Sequence, residues 1–361
     1  MRGDLNVISS EQVMELLNNW YIQMREENLE KVAFIKRDVA EKITRMEKNQ
    51  TLLLYYSLLE FRYKLLLENV ADLTSPLEKT NPEELDNLLA YYYYFFQGMY
   101  EYNLRNYYEA LSYYKLAEKK LETIGDEIEK AEFHHKVAWT FSYTRQILLA
   151  IQHILKAKEI FDKYENYKHR QADCENLLGI CWMIKNKFKE SEEHFNNALS
   201  LTNMVKHNTR LRCRITYNLG LLYSEQNLSE LAIDHLSCSY NMEKNYRTLY
   251  ALAREYFKVG KNQEAINSIQ EGVAACNKLN NEEYLHHFNI LNVLNANAKE
   301  YEIQQAFQEG IAYFQKKKIW GFVKDYAEKF AYYFCQNRQY QKACTYYQLA
   351  LEANNKTKRE D

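Results

Sequence analysis

The chain has 361 residues and a formal net charge of −2, with 47% hydrophobic residues but only 9 Gly and 2 Pro. That apolar content is ample for a large core, and the shortage of turn residues excludes a β-rich fold with many tight turns, so an all-α protein is expected. The near-neutral balance provides no overall basic field to draw the chain to nucleic acid or anionic lipid, and no apolar run approaches the roughly 20 residues of a membrane helix.

The opening MRGDLNVISSEQ lacks the apolar core of a signal peptide. The seven Cys (174, 181, 213, 238, 276, 335 and 344) are odd in number and form no CxxC pair, so buried, reduced thiols in a cytoplasmic protein are expected. His134–His135 and His286–His287 are adjacent pairs that point to different helix faces, and no HExxH occurs; no metal site is expected.

Three helices are predicted in the first 70 residues. The first carries Val13, Leu16, Leu17, Trp20 and Met24, with Ser9 and Gln12 placed as a capping box. The second carries an apolar stripe of Val32, Ile35, Val39, Ile43 and Met46. The third carries Leu52, Leu53, Tyr56, Leu59, Tyr63 and Leu66. Short connections make these a three-helix bundle, residues 1–70. Residues 1–75 hold 10 Lys/Arg against 12 Asp/Glu, so no basic DNA-reading helix is expected. Pro76 and Pro82 mark a connector at 71–81, and Asn81-Pro82-Glu83-Glu84 reads as the cap of a new helix.

From residue 82 to 353 one spacing recurs: a small residue, another twelve on, a bulky residue four further, a small residue three further. It reads Gly98, Ala110, Tyr114, Ala117, then Ala138, Ala150, Ile154, Ala157, then Gly179, Ser191, Phe195, Ala198. It returns as Gly220, Ala232, Leu236, Ser239, as Ala253, Ala265, Ile269, Gly272, and as Ala331, Ala343, Tyr347, Ala350. A degenerate copy near 284–316 keeps Ala306, Gly310 and Phe314. Two helices meeting closely at small residues form a hairpin that cannot bury its apolar face alone, so the copies stack into a right-handed solenoid. The pattern resembles the tetratricopeptide repeat. Most of the 32 Tyr are expected to serve packing. The polar tail, 354–361, is expected to fray.

In stacked hairpins the first helix of each pair lines the concave face. Its groove positions are Glu132, His135, Lys136 and Trp139 in the second hairpin, and Asp173, Asn176, Leu177 and Ile180 in the third. The fourth gives Arg214, Tyr217, Asn218 and Leu221, and the fifth Arg247, Tyr250, Ala251 and Arg254. An Asn amide donates and accepts, so Asn176 and Asn218 are candidate clamps for an extended peptide backbone. Arg214, Arg247 and Arg254 are candidates to hold a carboxylate. Glu132, Lys136, Tyr217 and Tyr250 complete the candidate peptide-binding set.

The segments NNWYIQMR (18–25), MEKNQTLLLYYSLLEFRYKLLLE (46–68), YYYYFFQGMYEY (91–102) and DEIEKAEFHHKVA (126–138) resemble the Rap family. These are response-regulator aspartate phosphatases and regulator-binding proteins of spore-forming Gram-positive bacteria. The resemblance runs over nearly the whole chain. It implies that the bundle binds a response regulator or phosphorelay protein in quorum-sensing control of sporulation or competence. It also implies that a short, re-imported Phr-type peptide binds the repeats and switches the bundle. Gln50 matches the family's catalytic glutamine; Glu47, Leu53 and Phe61 are then expected to contribute to docking. Asn218, in YNLG, matches the peptide-anchoring asparagine. The chain departs from the pattern at Asn49 and Thr51, where the family commonly has acidic neighbours, and at Met183 and Ile184, where it has an acidic pair.

An aspartyl phosphate is a reactive acyl phosphate, so a Gln that places a water in line suffices without a protein nucleophile. The resemblance implies that the protein needs no cofactor of its own and that Mg²⁺ is supplied by the receiver-domain partner. The phosphatase reading therefore leads. The alternative is non-catalytic sequestration of a regulator's DNA-binding domain, likewise relieved by peptide. A generic scaffold, with the bundle merely capping the solenoid, is the third.

Overall fold

The computed structural model describes residues 8–67, 81–204, 209–295 and 298–360. Seventeen α-helices and two short 3-10 turns make up its secondary structure, apart from one isolated parallel bridge between Ile8 and Met46. The chain forms two compact units, Met1–Lys187 with Ser200–Lys206, and Phe188–Leu199 with His207–Asp361.

In the first unit, α1 (Ser10–Arg25), α2 (Leu29–Ile43) and α3 (Gln50–Leu66) form the bundle. Ser9 caps α1, its side chain accepting from the Gln12 amide at 3.4 Å. Val13, Leu17, Trp20 and Met24 are fully buried, as the stripe requires. The Trp20 indole donates to the Val32 carbonyl at 3.1 Å and ties α1 to α2. Met46 lies beyond the end of α2, in the bridge with Ile8. The stripe expected on α3 is rotated: Leu52, Tyr55, Leu58, Leu59, Phe61 and Leu65 are buried, while Leu53 is exposed. The reason is that α3 is covered on two sides, by α1 and by the first repeat. Tyr55 stacks on Tyr92 and Phe61 meets Tyr100, both on α4 (Asn87–Asn103). Bundle and first hairpins thus share one core, running from Val13 to Val137.

The connector at 71–81, apart from Asn81, lies outside the described residues. Asn81 caps only a single 3-10 turn, Pro82–Glu84. The first repeat helix starts at Asn87, capped by Asp86, five residues later than the capping-box pattern predicts. α4 pairs with α5 (Tyr107–Leu121), and α6 (Glu127–Tyr143) with α7 (Ile147–Phe161); α8 (Lys168–Ile184) completes the first unit, and α9 (Phe188–Thr202) is shared between the units. The second unit holds α10 (Thr209–Glu225) with α11 (Ser229–Met242), and α12 (Tyr246–Lys258) with α13 (Asn262–Lys278). It continues with α14 (Glu282–Asn295) and α15 (Glu300–Lys316), then α16 (Trp320–Gln336) and α17 (Tyr340–Glu360). The polar tail expected to fray is the last turns of α17. No Gly or Pro stops it.

The recurring small residues sit where the helices touch. Ala138, Ala150, Ile154 and Ala157 are all fully buried, as are Ala232 and Leu236. A Cβ at Gly220 would lie 2.6 Å from Leu236 Cγ, and one at Gly98 would strike the Tyr114 ring. Tyr347 is the exception at 41% exposed; no described helix follows α17 to cover it.

Charge as well as apolar surface is buried between bundle and repeats. The Glu129 carboxylate of α6 is fully buried and accepts from the hydroxyls of Tyr21 (2.8 and 2.9 Å) and Tyr91 (2.8 Å). Arg25, at the end of α1, reaches both Glu129 (3.2 Å) and Asp126 (2.6 Å). Arg170 of α8 grips Glu132 through Nε (2.5 Å) and Nη2 (3.0 Å), and Glu27 through Nη1 (2.7 Å). Burial opposes these charges, but Arg170 overrides it and holds the Glu132 carboxyl below the usual range. Glu27 is likewise brought down to about 2 against its local burial, by Arg170, His169 and Lys136, although 46% of its side chain is exposed.

This packing makes three predictions. In an open helix, Gly→Ala gains about 1 kcal/mol; at Gly98 the collision with Tyr114 reverses the sign, and Gly98→Ala should lose about 1–3 kcal/mol in denaturant unfolding. Gly321→Ala, with nothing within 4 Å of the added carbon, should be neutral or slightly stabilising, and equal effects at both sites would refute the assignment. Arg170→Ala leaves Glu132 buried without its cation and should cost about 3–5 kcal/mol. Arg170→Met combined with Glu132→Leu should recover most of that loss. A carboxyl whose pKa falls on folding stabilises the fold above its unfolded value and loses that contribution as pH drops through the folded one. The Glu27 contribution should therefore be complete above about pH 4.5 and vanish towards pH 2, a step absent from the acid titration of Glu27→Gln.

Candidate functional site

The corner between α2 and α3 carries the candidate catalytic residue. It is pinned by backbone: the Ile8 amide donates to the Arg45 carbonyl at 3.1 Å, and the Glu47 amide donates to the Ile8 carbonyl at 3.4 Å. Asn49 then caps α3, its side chain accepting from the Leu52 amide at 3.1 Å. The departure from an acidic neighbour at 49 thus has a local structural role, because Asn is among the strongest N-caps. Gln50 follows as the first residue of α3, its side chain exposed between exposed Glu47 and Thr51. Its carboxamide can accept a hydrogen bond from a water and donate one to a phosphoryl oxygen.

Around this corner Glu47 is exposed and Leu53 is 38% exposed, so both face outward with Gln50. Phe61 does not: it is 1% exposed and packed on Tyr100. Its expected docking contact is corrected, because the second buried face of α3 takes it into the core. Sequence reasoning passed over Phe34 of α2, which is 73% exposed. It stands off the apolar stripe of α2, and an aromatic at such a position was the available signal.

The groove candidates divide by unit. In the first, Glu132 is 2% exposed and occupied by Arg170, so its assignment to a peptide is corrected. Lys136 lies in the same charged seam, where burial first and Arg170 second lower its pKa to about 8. Asn176 is fully buried, beside His135–Asp173 groove positions that already bond each other at 2.9 Å; it offers no open clamp in this arrangement. Glu132 was read as solvent-lined because one sequence repeat carries no sign that Arg170 of α8 would close over it.

In the second unit Tyr217, Arg247, Arg254 and Tyr250 lie near one another. Burial raises the Tyr217 hydroxyl pKa, and the charges of Arg247 and Arg254 act against that rise, which places all three in one field with Tyr250. Arg214 and Arg247 are exposed, and Asn218 is 8% exposed. Tyr284 of α14 joins them, edge-on to Tyr246 (4.8 Å between ring centres) and to Tyr250 (6.0 Å). It escaped notice because its hairpin has lost most of the small-residue spacing. Four of the seven cysteines are buried and all are unpaired; Cys238 and Cys344 are exposed, against the expectation of buried thiols throughout. Among the described residues no group of three His, Cys, Asp or Glu converges to hold a metal ion, and no helix is long and apolar enough to cross a membrane.

Comparison with known proteins places these features in a family. Residues 7–68, which include the Gln50 corner, match the model described as response regulator aspartate phosphatase H, N terminal. Over its length the chain is similar to Regulatory protein RapF of Bacillus subtilis (strain 168), 30% identical over 94% of both chains. It is similar also to Response regulator aspartate phosphatase I of the same organism, 29% identical over 99% of this chain and 95% of the other. Its fold is like the crystal structure of a Rap protein complexed with competence and sporulation factor, with a TM-score of 0.84, 25% identity, and coverage of 98% of this chain and 100% of that one. Helix order, bundle, repeats and sequence agree along nearly the full length, and the chain belongs to the Rap family of response regulator aspartate phosphatases and regulatory proteins.

Proposed function

We propose that this protein is a peptide-regulated aspartate phosphatase of response regulators. The carrying observation is Gln50: it is exposed at the start of α3, on a corner fixed by the Ile8 bridge, within the segment that matches the phosphatase N-terminal model. The bundle docks on a phosphorylated receiver through the outward face that includes Glu47, Leu53 and Phe34. Gln50 accepts a hydrogen bond from a water and holds it in line with the phosphoryl group. Water oxygen bonds to phosphorus as the bond from phosphorus to the aspartyl oxygen breaks, leaving a carboxylate and inorganic phosphate. The receiver's own Mg²⁺ neutralises the phosphoryl oxygens; this chain contributes the oriented water and excludes bulk solvent.

Sequestration without chemistry is the second reading. It is favoured by the similarity, at 30% identity, to RapF, whose name is that of a regulatory protein. Both readings use the same bundle face. In both, a short peptide bound in the repeats shifts the bundle, by the analogy of the Rap protein complexed with competence and sporulation factor. A peptide can do so only by binding one arrangement more tightly than the other.

Phosphate release from a panel of phosphorylated receiver domains, at substoichiometric protein, separates the two. Turnover should be seen with wild type and fall about 100-fold or more in Gln50→Ala, while the variant still forms the complex. No turnover on any receiver, with stoichiometric block of a DNA-binding domain, would establish sequestration instead. Asn218→Ala should weaken the peptide response and spare basal activity; unchanged peptide sensitivity would remove Asn218 from the groove assignment.

A further inference from the structure

In the first unit, a cavity of about 600 Å³ opens where the bundle meets the repeats. Its walls come from α1, α3, α4 and the turn between α5 and α6. Three tyrosines line it. Tyr55 lies nearly flat on Tyr92, with 5.8 Å between ring centres and 20° between planes, and Tyr21 stands edge-on to Tyr92 at 5.2 Å. Ile22 and Leu88 add apolar surface and are 38% and 45% exposed, so the cavity has a mouth to solvent. Small-molecule sites span roughly 300–1,000 Å³ and are likewise mostly apolar and aromatic, with a few polar groups that fix orientation.

The polar groups of the wall have donor capacity left over. Asn18 Oδ1 accepts from the Tyr55 hydroxyl at 3.1 Å, and Asn87 Oδ1 accepts from Lys120 Nζ at 3.1 Å. Each amide oxygen is taken, while among the described residues neither NH₂ group has an acceptor. Arg25 spends Nη1 on both Asp126 and Glu129, and its buried Nε has no partner. A donor left without an acceptor in a closed setting is costly. Charge does not select the ligand: Arg25 and Lys120 stand against Asp126 and Glu129, so neither an anion nor a cation gains by entering.

We infer that this cavity binds a small, uncharged, flat ring compound that carries carbonyl acceptors, with its ring among the three tyrosines and its acceptors on the Asn18 and Asn87 amides. Aromatic walls suit a flat ring, and unspent donors suit an acceptor. Because α1 and α3 form one side and α4 with the α5–α6 turn the other, such a compound binds only the packed arrangement of bundle and repeats. It therefore strengthens that arrangement by mass action. The inference is independent of the phosphatase and peptide readings.

The test uses the full chain and five probes, titrated by ligand-observed NMR. Coumarin and theophylline are neutral rings with carbonyl acceptors; indole is a neutral ring that only donates; benzoate is an anion and tyramine a cation. Coumarin and theophylline should bind about tenfold or more tightly than the other three. Asn18→Ala and Asn87→Ala should each weaken them about two- to tenfold while leaving indole unchanged, a loss of preference that a folding defect cannot mimic. Ile22→Trp should fill the cavity and reduce all binding. Bound coumarin should slow amide hydrogen exchange in α1 and α4 together. Equal affinity for all five probes, tighter binding of benzoate or tyramine, or no binding of any probe would overturn the inference. A coumarin preference that survives both Asn variants, or protection confined to the repeats, would overturn it as well.

Discussion

The seam between α1 and the repeats depends on charge that has been taken out of water. Glu129 is fully enclosed, and its pKa stays above the usual carboxylate range because burial outweighs Arg25 and the two tyrosine hydroxyls. Such a group is tolerable only while Arg25, Tyr21 and Tyr91 all remain in place. These partners come from α1 and α4, so the carboxylate on α6 fixes the register of the bundle against the first hairpins. A buried ion pair gains little net free energy over apolar packing, yet loses much when one partner leaves. The charged part of the seam consequently selects one arrangement, while the shared apolar core provides most of its stability. Glu27 adds to this: it turns the chain between α1 and α2 with a left-handed φ of 54°, a costly conformation for a residue with a side chain, and Arg170 holds it there.

Around that seam, the repeats rely on close helix contact. A Gly or Ala at each crossing lets a Tyr, Ile, Phe or Leu of the neighbouring helix fill the space beside it. Most turns that close the helix pairs carry one left-handed residue. With so few glycines in the chain, Arg105, Arg145, Asn186, Asn227 and Arg338 adopt that conformation, and Gly260 does so freely between α12 and α13. Hairpin geometry is imposed by the packing of the helices and accepted by the turns.

This explains which parts of the molecule were legible in the sequence. Spacing that repeats is a statement about contact between two helices of one hairpin, so the quartets gave the repeats and their buried faces correctly, down to Ala138–Ala150–Ile154–Ala157. The stripe on α1 was legible for the same reason, because Val13, Leu17, Trp20 and Met24 form one face, whereas Tyr21 and Arg25, which meet the repeats, lie off that stripe and were not legible. α3 was misread because it has two neighbours, and a helix apolar nearly all round has no preferred face in its periodicity. Phe61, Glu132 and Asn176 were misplaced by a related cause. Phe61 and Glu132 each face a surface that one helix or one repeat, taken alone, leaves open, and Tyr100 and Arg170 cover them. The Gln50 corner was located by family resemblance; its position on the helix followed from spacing, but its pinning by Ile8 is a pairing of remote backbone that side-chain pattern does not encode.

The same reasoning separates the two sets of charged groove residues. In the first unit Glu132 and Lys136 sit beside Arg170 and Glu27, and their fields are spent on one another. In the second unit Arg254 and Lys329 act on each other with the same sign, and among the described residues neither is held in an ion pair. Like charges held close cost free energy in the unliganded protein.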